Sequence, residues 1–205
     1  MTRMLGGPCA LECPTEEALV RKKAELRAIT RVVLSQIGRS TLLVRSKNIQ
    51  NILCASSAWN TSRFILAFAS TATEPDLLPV SFQERDIFCL KRVNLHYEPV
   101  AVRSRKDLKL GPLGILEPNS ERPFPLGKID LILVPGIAFD LTGGRLGRGG
   151  GHYDRILSRP DCVGKVIGVC YAEQVVRRIP MGEHDCPVSA LLTEKGLRDC
   201  SPLVT

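Results

Sequence analysis

Of the eight cysteines in this chain, none falls in a C-x-x-C pair, so metal-finger spacing is absent. Aromatic residues make up only 5%, and no RNA-recognition aromatic motif is visible, which argues against nucleic acid as the partner. No window holds 18 consecutive apolar residues, which excludes a spanning helix. No G-x-S-x-G elbow occurs, so Ser/His/Asp hydrolysis has no support. The first twenty residues lack a continuous apolar stretch and carry Glu12, Glu16 and Glu17, features of neither a secretory signal nor a transit peptide. A reducing, cytoplasmic compartment with free thiols is therefore expected. For Cys186 the ordinary expectation is a small, buried, apolar side chain.

What is present is a globular composition. The 205 residues are 44% hydrophobic and 24% charged, enough to bury a core without disulfides. The 28 Lys and Arg exceed the 21 Asp and Glu by 7, a balance that suits anionic partners. Residues 1–14, punctuated by Gly6, Gly7, Pro8 and Pro14, read as a loose extension, and 15–205 as one domain. Thr15 can cap a helix whose apolar positions are Leu19, Leu26, Ile29, Val33 and Ile37, with Gly38 as its stop. A second helix is expected over 42–59, with Leu42, Ile49, Leu53 and Trp59 inward. Short apolar runs follow at 64–68, 87–90, 97–102, 131–134, 166–170 and 190–193. Runs of this kind read as strands buried on both faces, and their alternation with loops and helices predicts an α/β fold with a largely parallel sheet.

Glycine is unevenly spread: seven of the 17 lie between Gly136 and Gly151, in DLILVPGIAFDLTGGRLGRGGGHYDRIL. A buried strand ends at Pro135-Gly136, and a helix is expected to open near Gly151. Glycines let backbone amides approach an anion closely. Arg145 and Arg148 add forked cations suited to phosphate oxygens, and Asp154 can hold a magnesium ion beside them. The loop reads as a polyphosphate site; the alternative is a flexible surface loop with solvated arginines. It is neither a P-loop, since no Gly-Lys-Ser/Thr follows, nor a dinucleotide fingerprint, since His152 stands where the third glycine would be.

The run Gly144-Arg-Leu-Gly-Arg-Gly-Gly-Gly-His-Tyr-Asp-Arg155 resembles the signature of the 5-formyltetrahydrofolate cyclo-ligase family, also called methenyltetrahydrofolate synthetase. Other pieces occur in the family's order: Lys23-Ala-Glu-Leu-Arg27, Gly114-Ile-Leu-Glu-Pro118, Val134-Pro-Gly-Ile-Ala-Phe-Asp140, and Glu183-His-Asp185 after Ile179-Pro180. The resemblance spans roughly residues 20–195. It implies one three-layer α/β domain with a central, mostly parallel mixed sheet. It also implies ATP- and magnesium-dependent cyclisation of 5-formyltetrahydrofolate to the 5,10-methenyl compound.

Site residues follow residue by residue from the same resemblance. Lys23 and Arg27, four apart on one helix face, are implied to clamp nucleotide phosphates against Arg145, Gly147, Arg148, Gly149, Gly150, Gly151 and Asp154. Asp154 and Asp185 are implied to bind magnesium. Ala69 and Glu74, after the first buried strand, are implied to contact the folate together with Arg148, the glycines 149–151 and His152. Catalysis is implied for Arg145, Arg148 and Tyr153, and His184 is expected to have a structural hydrogen-bonding role. This chain departs from the pattern in four places: Pro75-Asp76 after Glu74, a shortened helix over 77–86, Lys91 before Arg92 where proline is common, and His152 where tyrosine is usual. A monomer is expected, with the basic residues Arg92, Arg103, Arg105, Lys106 and Lys109 suited to a polyglutamate tail. The competing classes are a non-catalytic relative that binds nucleic acid and an ATPase or kinase of another substrate.

Overall fold

The computed structural model describes residues 15–78, 85–94, 96–111 and 114–201. The expected extension over 1–14 lies outside the described residues, as does most of the shortened helix expected over 77–86.

Thr15 caps α1 (Glu16–Ser35) by accepting from the Ala18 N–H at 3.4 Å, and Glu16 and Glu17 sit favourably in its first turn. The buried residues of this helix are Thr30 and Leu34, while Ile29 is 61% exposed, contrary to the inward place expected for it. The reason is what α1 packs against. Leu26 meets Ala138 and Leu146 of a small three-stranded sheet and Ile179 beside it, and this rotates the inward stripe onto 26, 30 and 34. The second helix divides into α2 (Arg39–Ala55) and a short α3 (Ser57–Thr61). Ser56 makes the break: its hydroxyl donates to the Leu53 carbonyl at 2.7 Å and accepts from the Trp59 N–H at 3.2 Å.

The six expected apolar runs all form strands, and six further short strands join them. They are β1 (Phe64–Ala67), β2 (Asp86–Val93), β3 (His96–Val102), β4 (Leu108–Leu110), β5 (Leu116–Pro118), β6 (Leu131–Pro135), β7 (Ala138–Asp140), β8 (Arg145–Leu146), β9 (Lys165–Val169), β10 (Val175–Val176), β11 (Ala190–Thr193) and β12 (Gly196–Asp199). The main sheet has seven strands in the order β12-β11-β9-β6-β1-β2-β3. The five inner strands run parallel, and β12 and β3 close the edges antiparallel. The period of two sorts each strand between the two faces. Ile65, Leu131, Leu133, Ile167, Val169, Ala190 and Leu192 pack with Leu34, Ile49, Leu53 and Trp59 of the N-terminal helices. Leu66, Ile132, Val134 and Leu191 point to the other face, under Leu126, Ile129, Phe139 and Ile156. Both faces are covered, so a continuous apolar run, rather than alternation, is what the sequence shows.

β6 is the middle strand of the seven, and the glycine-rich segment leaves its carboxyl end, where ligands bind in open α/β sheets. That segment is more ordered than a loop. It forms the β7–β8 hairpin before Gly147, and α4 (His152–Leu157) begins after Gly151.

Candidate active site

Asp140, at the end of β7, ties the hairpin to the chain that carries Asp185. Its Oδ1 accepts from the Thr142 N–H at 2.8 Å, the Thr142 hydroxyl at 2.6 Å and the Gly144 N–H at 3.0 Å. Its Oδ2 accepts from the Ile179 N–H at 2.7 Å, and the Val188 N–H donates to the Gly143 carbonyl at 2.9 Å. Burial pushes this carboxyl up, but these bonds outweigh it and hold it below the usual carboxylate range. Both halves of the site therefore rest on one buried anion.

A cavity of about 290 Å³ opens between α1, the ends of β1, β2 and β6, the β4–β5 hairpin and the glycine loop. Every site residue expected from the sequence lines it: Lys23, Arg27, Ala69, Glu74, Arg145, Gly147, Arg148, Gly149, Gly150, Gly151, His152, Tyr153, Asp154 and Asp185. On the α1 side, Lys23 pairs with Asp185, which also accepts from the Gly182 N–H at 2.6 Å. Arg27 donates through Nε to the Gly147 carbonyl at 2.8 Å, leaving the rest of its fork free for a ligand. Burial and the neighbouring Arg31 lower the Arg27 pKa, yet a guanidinium stays charged.

Arg145 is 4% exposed. Its Nη2 donates to Asp154 Oδ1 at 2.6 Å and its Nη1 to the Pro135 carbonyl at 3.4 Å, while its buried Nε has no partner. Its guanidinium stands over the Tyr153 ring at 5.8 Å, and burial pushes the Tyr153 phenol far up, so it stays protonated. The Cys186 N–H donates to Asp154 Oδ1 at 3.3 Å and its thiol to the Asp154 carbonyl at 3.6 Å. Cys186 is thus half-buried in polar contacts, unlike the apolar filler expected of it. These bonds bring the chain next to Asp185 against Asp154.

Magnesium needs oxygen ligands and keeps several sites for water and phosphate, so one or two carboxylates suffice. Asp154 and Asp185 meet that requirement: each is anchored through one oxygen, Asp154 by Arg145 and Asp185 by Lys23 and Gly182, and the second oxygen remains. Among the described residues, no cluster of three or more His, Cys, Asp or Glu side chains could hold a metal alone. The donor set therefore fits a metal that arrives with phosphate.

On the other side, Glu74 is buried and fully engaged. Its Oε2 accepts from the Thr71 N–H and hydroxyl, both at 2.9 Å, and its Oε1 accepts from Arg148 Nη2 at 2.9 Å and Nε at 3.2 Å. Arg148, half-exposed at the mouth, thereby bridges the glycine loop to the segment that follows β1. His152 lies with its ring centroid 4.5 Å from that of Tyr97 at a 52° tilt, and Arg155 Nη2 meets its Nδ1 at 3.0 Å. Burial and then the charges of Arg155 and Arg92 lower the pKa of His152. It is therefore neutral at pH 7, and Arg155 donates to Nδ1.

Sequence reasoning missed part of the wall: Phe68, Cys89, Leu90, Tyr97, Ile115, Leu116 and Glu117. The Gly114–Pro118 motif flagged three of these without a role. Tyr97 had no signal, because only the register that sets Arg92 opposite Tyr97 brings it in. Burial pushes the Cys89 thiol up to about 12, so it is no nucleophile. His184 is exposed and outside the wall, and among the described residues its imidazole makes none of the structural bonds expected of it. Lys91 is buried, with Nζ donating to the Asn119 carbonyl at 3.4 Å, so it is not part of the exposed basic cluster.

Fold and site together define an open α/β protein with a cleft lined by lysine, arginine and glycine at the carboxyl end of its central strand. Residues 17–194 match the model of the 5-formyltetrahydrofolate cyclo-ligase family, and the chain belongs to that family of enzymes. It is 29% identical over 191 residues to a 5-formyltetrahydrofolate cyclo-ligase of Mus musculus, covering 84% of this chain and 93% of that one. The solved structure of 5,10-methenyltetrahydrofolate synthetase from Aquifex aeolicus superposes with a TM-score of 0.79 at 31% identity, covering 89% of this chain and 95% of that one. The Mycoplasma pneumoniae synthetase shares the fold, with a TM-score of 0.67 at 16% identity, covering 84% and 98%.

Proposed function

We propose that this chain catalyses the ATP- and magnesium-dependent conversion of 5-formyltetrahydrofolate to 5,10-methenyltetrahydrofolate, with release of ADP and phosphate. The observation that carries the reading is the single cleft in which Lys23, Arg27 and Arg145 face the two aspartates while Glu74, Arg148 and His152 continue the same wall. Phosphate chemistry and a planar organic ligand are thereby set side by side.

A formamide oxygen is a poor leaving group, so closure by a neighbouring amine is slow without activation. The formyl oxygen attacks the γ-phosphorus, and the bond from that phosphorus to ADP breaks. The resulting iminium phosphate is attacked by N10; its C–O bond then breaks, phosphate departs and the N10 proton passes to water. No protein nucleophile is needed, which agrees with a cleft that holds cations, glycines and carboxylates. Magnesium held by Asp154 and Asp185 would neutralise phosphate charge. Arg145, with a buried and unsatisfied Nε, offers a preorganised donor to the transferring group. Arg148 spans both halves and orients one ligand against the other. Tyr153, kept protonated, acts as a donor and not as a base.

Among the described residues no helix is long and apolar enough to cross a membrane. We read the protein as cytoplasmic and monomeric, a place supported by the free thiols. A nucleic-acid-binding role is not favoured, since the charges of the cleft converge on small-ligand geometry. The test is the absorbance of the methenyl product on mixing protein, Mg-ATP and 5-formyltetrahydrofolate. Product that needs both ATP and magnesium is expected; its absence under saturating substrates would refute the assignment.

A further inference from the structure

Glu117 is an acidic wall residue without a task. It lies half-buried on β5, opposite Lys109 of β4, and folds over Gly111, where an added Cβ would stand 2.5 Å from its Cδ. Among the described residues no side chain or N–H bonds it. The other carboxylates of the wall are all engaged: Glu74 by Thr71 and Arg148, Asp154 by Arg145, Asp185 by Lys23. A half-desolvated carboxylate that accepts nothing is costly unless a ligand supplies donors.

The surroundings say which donors. Glu117 is close enough to His152 for its charge to act on that ring. His152 is in turn 4.5 Å from Tyr97, and Leu90, Ile115 and Leu116 complete an apolar wall. A flat heterocycle packs against such a wall, and two adjacent N–H groups on its edge match the two oxygens of a carboxylate. A 2-amino-4-oxopyrimidine ring has that edge. An anionic tail does not, since it would meet like charge.

We propose that Glu117 binds the 2-amino and N3–H edge of the substrate's pyrimidinone ring and sets the preference for 2-aminopterins. This rests on the reading of the cavity as a 5-formyltetrahydrofolate site. The test compares wild type, Glu117→Gln and Glu117→Ala with 5-formyltetrahydrofolate and with its 2-desamino-2-methyl analogue. Thermal unfolding confirms that both variants fold. Expected in both variants is a rise of about 10- to 100-fold in KM for the natural substrate, with kcat and the KM for ATP unchanged. The KM for the analogue should rise distinctly less in the variants than that of the natural substrate, because the analogue keeps N3–H but lacks the 2-amino donor that the carboxylate also holds. Wild-type turnover with an unchanged KM in the variants, or an equal rise for both substrates, overturns the assignment of Glu117 alone. A wild type that forms no methenyl product overturns the function and this inference together.

Discussion

Asp154 meets two demands at once, and they have different signatures. Its Oδ1 neutralises Arg145, a guanidinium that the hairpin buries at 4% exposure, and in the proposed function its other oxygen would take magnesium. Asp154→Asn preserves shape but removes charge from both. The expected outcome is loss of turnover by at least about 100-fold, with a folded protein whose stability falls by about 1–3 kcal/mol as the buried Arg145 loses its counter-charge. Rates across a magnesium titration, together with a melting curve, check it; unchanged activity and unchanged magnesium dependence would remove Asp154 from the metal site. Both residues were legible from their types and spacing around the glycines. Their pairing was not, because residues nine apart meet only when a hairpin and a helix start fold back on each other.

Among the elements, the glycine loop is held by its flanks. Gly149 has φ +107°, a conformation L side chains rarely adopt, and an added Cβ would stand 3.8 Å from Arg27 Nη2. Gly149→Val is expected to raise the KM for ATP about tenfold or more and that for the folate much less, as judged from initial rates with each substrate varied in turn. An equal loss for both would mean that the whole loop has collapsed. Asp140 is the flank whose effect reads out as stability. Its carboxyl is held below the usual range, so its contribution is present in full above about pH 4, the unfolded value, and is lost as pH falls through the depressed folded value. Asp140→Asn should lower stability at pH 7 by about 2 kcal/mol, and the gap to wild type should shrink on acidification. Denaturant melts at pH 7 and pH 3 measure both. The break at Ser56 and the rotated stripe of α1 were not legible. The first depends on one hydroxyl bonding both ways along the chain, and the second on which sheet the helix meets.

Across the whole molecule the surplus of 7 positive charges is not simply an exposed basic face. Arg45 is spoken for by Glu173 at 2.5 Å, Arg159 by Glu98 at 3.0 Å, and Arg105 approaches Asp76 at 3.7 Å. The basic residues that remain near the β2–β5 side, Arg92, Arg103, Lys106 and Lys109, suit an acidic polyglutamate tail. Each exposed pair contributes only about 0.2–1 kcal/mol and is screened beyond about 8 Å at physiological salt. Polyglutamylated substrate should therefore show a lower KM than the monoglutamate at low salt, with the difference fading at high salt and reduced in Arg103→Ala/Lys106→Ala. Equal KM values at every ionic strength would assign the cluster to solubility.

Taken by itself, the sequence determined the alternation of buried strands and helices, the placement of the glycine loop after a central strand and the cationic and acidic residue types around that loop. These follow from local causes: hydrophobic period, capping and the backbone freedom of glycine. Only the tertiary structure decided that Arg148 is locked onto Glu74, that Asp185 reaches Lys23, that Lys91 is buried, and that Tyr97 and Glu117 complete the wall. Each of these joins segments tens of residues apart. The register of a hairpin or the crossing of a helix over a sheet sets such a meeting, and neither is encoded in the spacing along the chain.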